Sequence, residues 1–272
     1  MPTAATDPAW RRPRPRRRWL DATTILVDFA LVTFDVDPGR LAAVLPTGLV
    51  PEVRTLDDGR ERGFVSAVSF RDVDFRFALA PVVRRSFFQT NYRAYVRGPA
   101  GGRAVHFFGT TLDSVWSVIP RRVWGMPWHR GRTSIEATWA GGRCMTYRHR
   151  CEPGWGGADV DLTGTDEPLR RLDGFVDLDD AALVLTHPLD GFFARSDGRL
   201  GRYSVWHERL RPTIGAAQDA RYEVFERLGL VASGRSRTRS CSSRASSSTC
   251  CCPRSWLDRR SGLPDRAPVR PT

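Results

Sequence analysis

The sequence predicts a mainly β domain of the α+β class, an antiparallel barrel or sandwich with a few short peripheral helices. Three observations predict this fold class: short stretches of alternating apolar residues, glycine-containing turns between them, and few helical stripes. Strands that follow one another through such turns are typical of antiparallel sheets. The 272 residues, 41% of them hydrophobic, suffice for one such domain of about 200 to 250 residues plus tails.

The first half of the domain begins with a strand over residues 23–36. A short helix follows, with Asp37 as N-cap and Pro38 at its first position. Residues 63–77 form a second long strand. Its alternation changes phase near 71–74, which predicts a β-bulge.

The remaining strands are short, and most of them pair as hairpins across glycine loops. We expect one hairpin from 90–97 with 103–112, another from 131–139 with 143–151, and further strands at 157–163 and 200–210. We expect helices at 114–122, 179–185 and 216–229.

The formal charge of +12 lies in the two ends of the chain. Residues 1–20 carry +5 and residues 232–272 carry +7, so residues 21–231 are neutral. A nucleic-acid-binding domain needs its positive charge on the folded surface, so no nucleic-acid partner is expected. We expect residues 1–20 to be a disordered Arg/Pro-rich tail, 21–231 the barrel domain, and 232–272 a disordered Ser/Cys/Arg-rich tail.

The last segment differs so abruptly in composition that a frameshift in GC-rich coding DNA is an alternative origin for it. No stretch of 18 apolar residues is present, so no membrane partner is expected. Six cysteines without a disulfide framework are compatible with a cytoplasmic location. The sequence leaves the oligomeric state open, and a homo-oligomer is compatible with it.

A row of polar residues is the strongest indication of a site. In a strand, Gln89, Asn91, Arg93 and Tyr95 all point to one face. The row is either a solvated outer face or the wall of a pocket. Amides, a phenol and a guanidinium in one pocket would suit a small oxyacid.

Histidines supply the candidate acid–base groups. His129 follows Trp128 in a Gly- and Pro-containing turn, and His106 lies on a predicted strand. His149 and Cys151 share a strand face, but two ligands are too few for a zinc site. We therefore predict that the protein binds neither a metal nor a cofactor. We predict a small molecule as its partner.

Four segments in order resemble a known family. They are 34–49, Asn91 to Val96, Val105 to Phe108, and Trp124 to His129. Together they resemble domain-of-unknown-function family 2071, a relative of acetoacetate decarboxylase, over roughly residues 24–230. The resemblance implies an acetoacetate-decarboxylase-like antiparallel β-barrel or cone with a central cavity.

The resemblance also implies that the Schiff-base chemistry of the related decarboxylases is missing. Acetoacetate decarboxylases form a Schiff base on a lysine, and Trp128 and His129 stand where that family has its lysine pair. All 42 basic residues of this chain are arginine, so no lysine can replace it. Gln89 stands where family 2071 usually has glutamate, which removes one candidate carboxylate.

Three interpretations remain open. In the first, the barrel binds a small anionic or carbonyl-bearing ligand without Schiff-base chemistry, through Gln89, Asn91, Arg93, Tyr95 and Trp128. In the second, it is a non-covalent lyase, hydratase or isomerase in which His129 or His106 moves protons. In the third, it is the inactive product of a C-terminally frameshifted gene.

Overall fold

The computed structural model describes residues 16, 18–141, 143–152, 154–164, 172–188, 190–207, 213–232 and 239–251, of which 213–218 and 239–251 are described as backbone. The strands are β1 Ala22–Val36, β2 Val50–Pro51, β3 Arg54–Thr55, β4 Glu61–Phe77, β5 Arg85–Arg97, β6 Arg103–Leu112, β7 Trp128–Arg130, β8 Thr133–Ala140, β9 Arg143–Cys151, β10 Ala158–Gly164, β11 Asp190–Ala194, β12 Leu200–His207, β13 Thr213–Tyr222 and β14 Arg239–Cys251. The helices are α1 Pro38–Val44, α2 Val118–Trp124, α3 Leu178–Thr186 and α4 Glu223–Arg227.

Strand pairing arranges the long strands around one space. Neighbouring strands follow the order β1-β4-β5-β6-β11-β12-β14, and β14 pairs back with β1. All of these pairs are antiparallel except β6 with β11. The predicted mainly β fold with short helices is therefore confirmed.

A second group of strands covers the outside of the first. β14 also pairs with β13, which continues through β10 and β9 to β8. Strands of the first group, such as β1, consequently bury side chains on both faces. On β1, Ala30 and Val32 pack toward this second group, whereas Phe29 and Leu31 belong to the core around the enclosed space.

Local sequence signals explain the irregularities of the long strands. Asp74 adopts a left-handed backbone conformation (φ 58°), and the β4–β5 register shifts between Asp72 and Phe75. This confirms the predicted bulge. The N-cap of α1 is confirmed too, because the Asp37 carboxylate accepts a hydrogen bond from the Arg40 backbone N–H at 2.8 Å.

The prediction of a helix over 216–229 is wrong for most of its length. Residues up to Tyr222 form β13, and only Glu223–Arg227 are helical. The apolar spacing of Ala220, Val224, Phe225 and Leu228 suggested one helical stripe. Pairing of β13 with β10 outweighs that local pattern. Ala220 therefore lies in the strand, and the other three residues follow it.

Residues 239–251, which composition assigns to a disordered tail, form β14 between β1 and β12. Strand pairing uses backbone groups, so low apolar content does not prevent it. Most of the predicted N-terminal tail, residues 233–238 and 252–272, and the end of the strand predicted at 200–210 lie outside the described residues. Within the described part of the chain, no helix is long and apolar enough to cross a membrane.

Candidate functional site

A cavity of about 120 Å³ lies inside the ring of paired strands. Its wall is mainly apolar, and the apolar side chains come from β1, β4, β6, β7 and β12. The polar residues of its wall are Thr24, Asp72, Gln89, Asn91, Arg93, Thr186, Tyr203 and His207. Most of a small organic molecule would therefore touch hydrocarbon, with a few polar groups to orient it.

The predicted parity of β5 is confirmed by the geometry. Gln89, Asn91 and Arg93 line the cavity. The alternate residues face the other way: Thr90 shares a hydrogen bond of 3.1 Å with His149, and Tyr92 is buried in the core under the second group of strands. Three residues of the polar row thus line the central cavity.

Hydrogen bonds hold the amide of Asn91 in one orientation. Its Oδ1 accepts from Gln89 Nε2 and from the Thr110 hydroxyl, both at 2.8 Å. Two donors on the carbonyl oxygen leave the Asn91 amino group as the part of this side chain that can contact a ligand. The side chain therefore offers hydrogen-bond donors to the cavity.

Arg93 is held by the end of α3. Its guanidinium donates to the Leu185 carbonyl at 2.5 Å and to the Tyr95 hydroxyl at 3.3 Å. Its Nε is buried and has no hydrogen-bond partner. Within the described ranges, no carboxylate forms an ion pair with Arg93, although most other arginines of the barrel have one.

Tyr95 does not line the cavity but contacts Arg93 and α3, which do. It is fully buried, its hydroxyl shares a hydrogen bond with Ser66 at 2.8 Å, and it donates to the Leu185 carbonyl at 2.9 Å. The structure therefore gives Tyr95 a role in positioning Arg93 and α3.

Trp128 and His129 point in opposite directions from β7. Gly125, in a left-handed conformation (φ 65°), ends α2, and the chain then runs beside β6. Trp128 lines the cavity. His129 instead stacks on Trp155 with ring centroids 3.8 Å apart. Burial, helped by nearby arginines, lowers the pKa of His129 to about 4.

His106 also faces away from the cavity. It lies between the cavity residues Val105 and Phe107 on β6, and its ring contacts Phe108 edge-on. Burial lowers the pKa of His106 to about 4, so the ring is neutral near pH 7. Neither predicted acid–base histidine shares the cavity with the polar row.

Asp72 is one of the cavity residues that the sequence analysis missed, together with Thr24, Thr186, Tyr203 and His207. It lies on β4, is 3% exposed, and one of its carboxyl oxygens is buried without a hydrogen-bond partner. Burial raises the pKa of Asp72 from 3.8 to about 7, and the polar Thr24 side chain opposes this only in part. The only signal for it was its parity with Val68 and Phe70, which the phase change predicted at 71–74 obscured.

Residues 24–247 match the family model of DUF2071, described as an uncharacterized conserved protein. The chain belongs to this family. The match begins within β1 and extends into β14, so it spans the whole ring of paired strands. No curated protein matches this DUF2071 chain.

Solved structures resemble this DUF2071 chain in fold. The enduracididine biosynthesis enzyme MppR, solved with pyruvate, matches with a TM-score of 0.56 and 14% identity over 86% of this chain and 89% of that chain. The acetoacetate decarboxylase of Legionella pneumophila matches at 0.51 and 13%, over 90% and 95%. An acetoacetate decarboxylase-like enzyme of Sphingomonas wittichii matches at 0.52 and 14%, over 88% and 93%. These similarities show that the chain has the acetoacetate decarboxylase-like fold.

Proposed function

We propose that this DUF2071 chain binds a small anionic or carbonyl-bearing molecule in the central cavity, without forming a covalent bond to it. The observation that carries the proposal is Arg93, a guanidinium on the cavity wall with a buried, unpartnered Nε and no carboxylate partner among the described residues. A partly buried positive charge is stabilised by an anion, and a carboxylate matches the planar donors of arginine.

The neighbouring groups suit the same ligand class. Asn91 presents its amino group because its oxygen already accepts two hydrogen bonds. Arg93 and Asn91 therefore both offer donors, and a carboxylate or ketone supplies acceptors. The aromatic side chains of Phe70, Phe107 and Trp128 supply apolar walls for the rest of the molecule.

Binding without an imine follows from the composition. The chain contains no lysine, so no side chain offers the primary amine that a Schiff base requires. Trp128, which the resemblance places at a lysine position, contributes a ring to the cavity wall instead. His129 does not line the cavity, so the proposal gives it no part in binding.

Replacing Arg93 by methionine is expected to weaken binding of pyruvate at least about tenfold, because methionine keeps apolar bulk but removes the hydrogen-bonded positive charge. Pyruvate is the probe because MppR was solved with it. Line broadening of the pyruvate methyl resonance during a titration measures the affinity.

Arg148→Met is the matched control, since Arg148 lies on the surface beside Asp161 and should leave the affinity unchanged. Thermal unfolding of both variants checks that the fold persists. Equal affinity of wild type and Arg93→Met, with both folded, would contradict the proposal.

A further inference from the structure

Exposed apolar side chains are concentrated on two connections of the barrel. These are the loop of residues 78–84 between β4 and β5, and residues 113–124, which include α2. Among the described residues, fourteen large apolar side chains are exposed, and half of them lie on these two connections. We call this half the apolar face; it consists of Leu79, Val82, Val83, Val115, Val118, Ile119 and Val123. Exposed apolar residues that cluster, and are not scattered singly, mark an interaction surface.

The two connections lie side by side. β4 ends at Phe77, β6 ends at Leu112, and β5 begins at Arg85 between them, so antiparallel pairing brings both connections to the same edge of the sheet. The rings of Phe77 and Trp124 contact each other with centroids 6.4 Å apart. The Arg85 guanidinium lies 5.6 Å from the centre of the Trp116 ring. Both ends of the loop thus touch the second connection, and the apolar face is one surface.

Arginines border the apolar face on both connections. Arg84 and Arg85 follow the apolar residues of the loop, and Arg121 and Arg122 lie in α2. All four are exposed. Long arginine side chains can keep their charge in a polar layer while apolar neighbours leave the water.

The nearby acidic residues do not cancel this charge. Residues 73–88 and 113–124 together hold five arginines and two acids, which leaves +3, whereas residues 21–231 as a whole are neutral. The two acids are Asp74, which pairs with Arg76 and at 3.2 Å with Arg84, and Asp113, which accepts the Phe88 backbone N–H. The edge that carries the apolar face is therefore positively charged.

We propose that the apolar face docks the protein on an anionic lipid surface. The apolar side chains enter the boundary between headgroups and acyl chains, and the four arginines lie at the lipid phosphates. Apolar area and attraction of arginine to anionic lipid both contribute to such binding. This inference is independent of the ligand of the central cavity.

Charge and shape distinguish a bilayer from the other occupants. A second copy would bring its own arginines toward these, and the two ends of the chain carry further positive charge. An acidic protein would pair with the arginines, but it would need a pocket for Val82, which is 86% exposed at the tip of the loop. A fluid bilayer accepts a protruding apolar tip without a preformed pocket.

Surface contact is compatible with the lack of an apolar stretch of 18 residues. The expectation that no membrane partner exists depends on that lack, which concerns segments that cross the bilayer. A monotopic contact needs only an apolar surface with basic residues around it. The sequence does not reveal this surface, because its two connections are about 30 residues apart in the chain.

The test is flotation of the full-length chain with vesicles. Wild type should bind vesicles of phosphatidylglycerol and phosphatidylcholine in equal parts more strongly than pure phosphatidylcholine, and salt should weaken this binding. The double variant Leu79→Ser with Val82→Ser should lower the partition coefficient about tenfold or more, because two apolar side chains no longer enter the lipid. Val50→Ser with Val176→Ser is the control, since these side chains are 56% and 74% exposed outside the apolar face.

A second pair of variants tests the arginines. Arg121→Gln with Arg122→Gln should weaken binding to the anionic vesicles and reduce its dependence on salt. Arg132→Gln with Arg148→Gln, on exposed parts of β8–β9, changes the net charge equally and should bind like wild type. The arginine-rich ends of the chain are the same in every variant, so their attraction to the vesicles cannot produce these differences.

Thermal unfolding confirms that each variant is folded. Equal partition of wild type and folded Leu79→Ser with Val82→Ser would overturn the proposal and assign any binding to the charged ends. Absence of binding to anionic vesicles, or equal binding to pure phosphatidylcholine, would overturn it as well. Without vesicle binding, a dimer in light scattering that the double variant loses would assign the apolar face to a second copy, and binding of poly-glutamate would assign it to an acidic protein.

Discussion

Replacing Asp72 by asparagine is expected to stabilise the fold, and to do so more strongly at pH 8 than at pH 5. Asparagine has nearly the same shape and stays neutral, whereas the buried Asp72 carboxyl must ionise as the pH rises. The free energy of unfolding of wild type and variant, from urea denaturation at both pH values, measures the effect.

The direction follows from the two pKa values. The folded-state pKa of Asp72, about 7, lies above its ordinary value of 3.8 because of burial. The folded state therefore holds the proton more tightly than the unfolded chain does. That contribution to stability is complete below pH 3.8 and is lost as the pH rises through about 7. The stability gap between Asp72→Asn and wild type should widen by about 2–3 kcal/mol from pH 5 to pH 8.

Asp161→Asn is the control, because the exposed Asp161 carboxylate is paired with Arg148 and Arg150. Its difference from wild type should not grow in the same direction. A gap for Asp72→Asn that stays constant between pH 5 and pH 8 would show that Asp72 has an ordinary pKa.

The wall of the site was predictable from the sequence because it depends on strand parity. Four polar residues at alternate positions of β5 had to share a face, and three of them line the cavity. Parity does not predict whether a side chain on the inner face reaches the cavity or is covered by another element. Tyr95 points the same way as Arg93, yet it is covered by α3 and bonded to Leu185. Its place depends on the packing of a helix about 90 residues away, which a local pattern does not encode.

The cavity position of Asp72 and the orientation of the two histidines could not be predicted, for a related reason. The change of phase near the bulge indicated an irregular strand without showing on which side Asp72 lies. His106 and His129 were selected by chemical type alone. Both point to the core between the two groups of strands or to its edge, because their neighbours Phe107 and Trp128 take the cavity-facing positions. Orientation, and not residue type, decides which of these groups can meet a ligand.

Ending the chain after residue 232 is expected to abolish stable folding. β14 pairs with β1 from Ala22 to Thr33 and also pairs with β12 and β13. Loss of the eleven register pairs with β1 alone removes backbone hydrogen bonds worth about 0.5–1.5 kcal/mol each. Their sum is comparable with the whole stability of a domain, about 5–15 kcal/mol. The exposed edge of β1 would in addition pair between chains, so aggregation is expected.

A chain ending after Cys252 is the control, because it retains β14 and should remain monodisperse and cooperatively folded. Size-exclusion chromatography and thermal unfolding compare the two truncations. Equal behaviour of both would show that the ring of strands does not need β14 and would favour the domain boundary at residue 231 that composition predicts. Selective failure of the shorter chain would show that this strand, however unusual in composition, occupies a position that the barrel must fill.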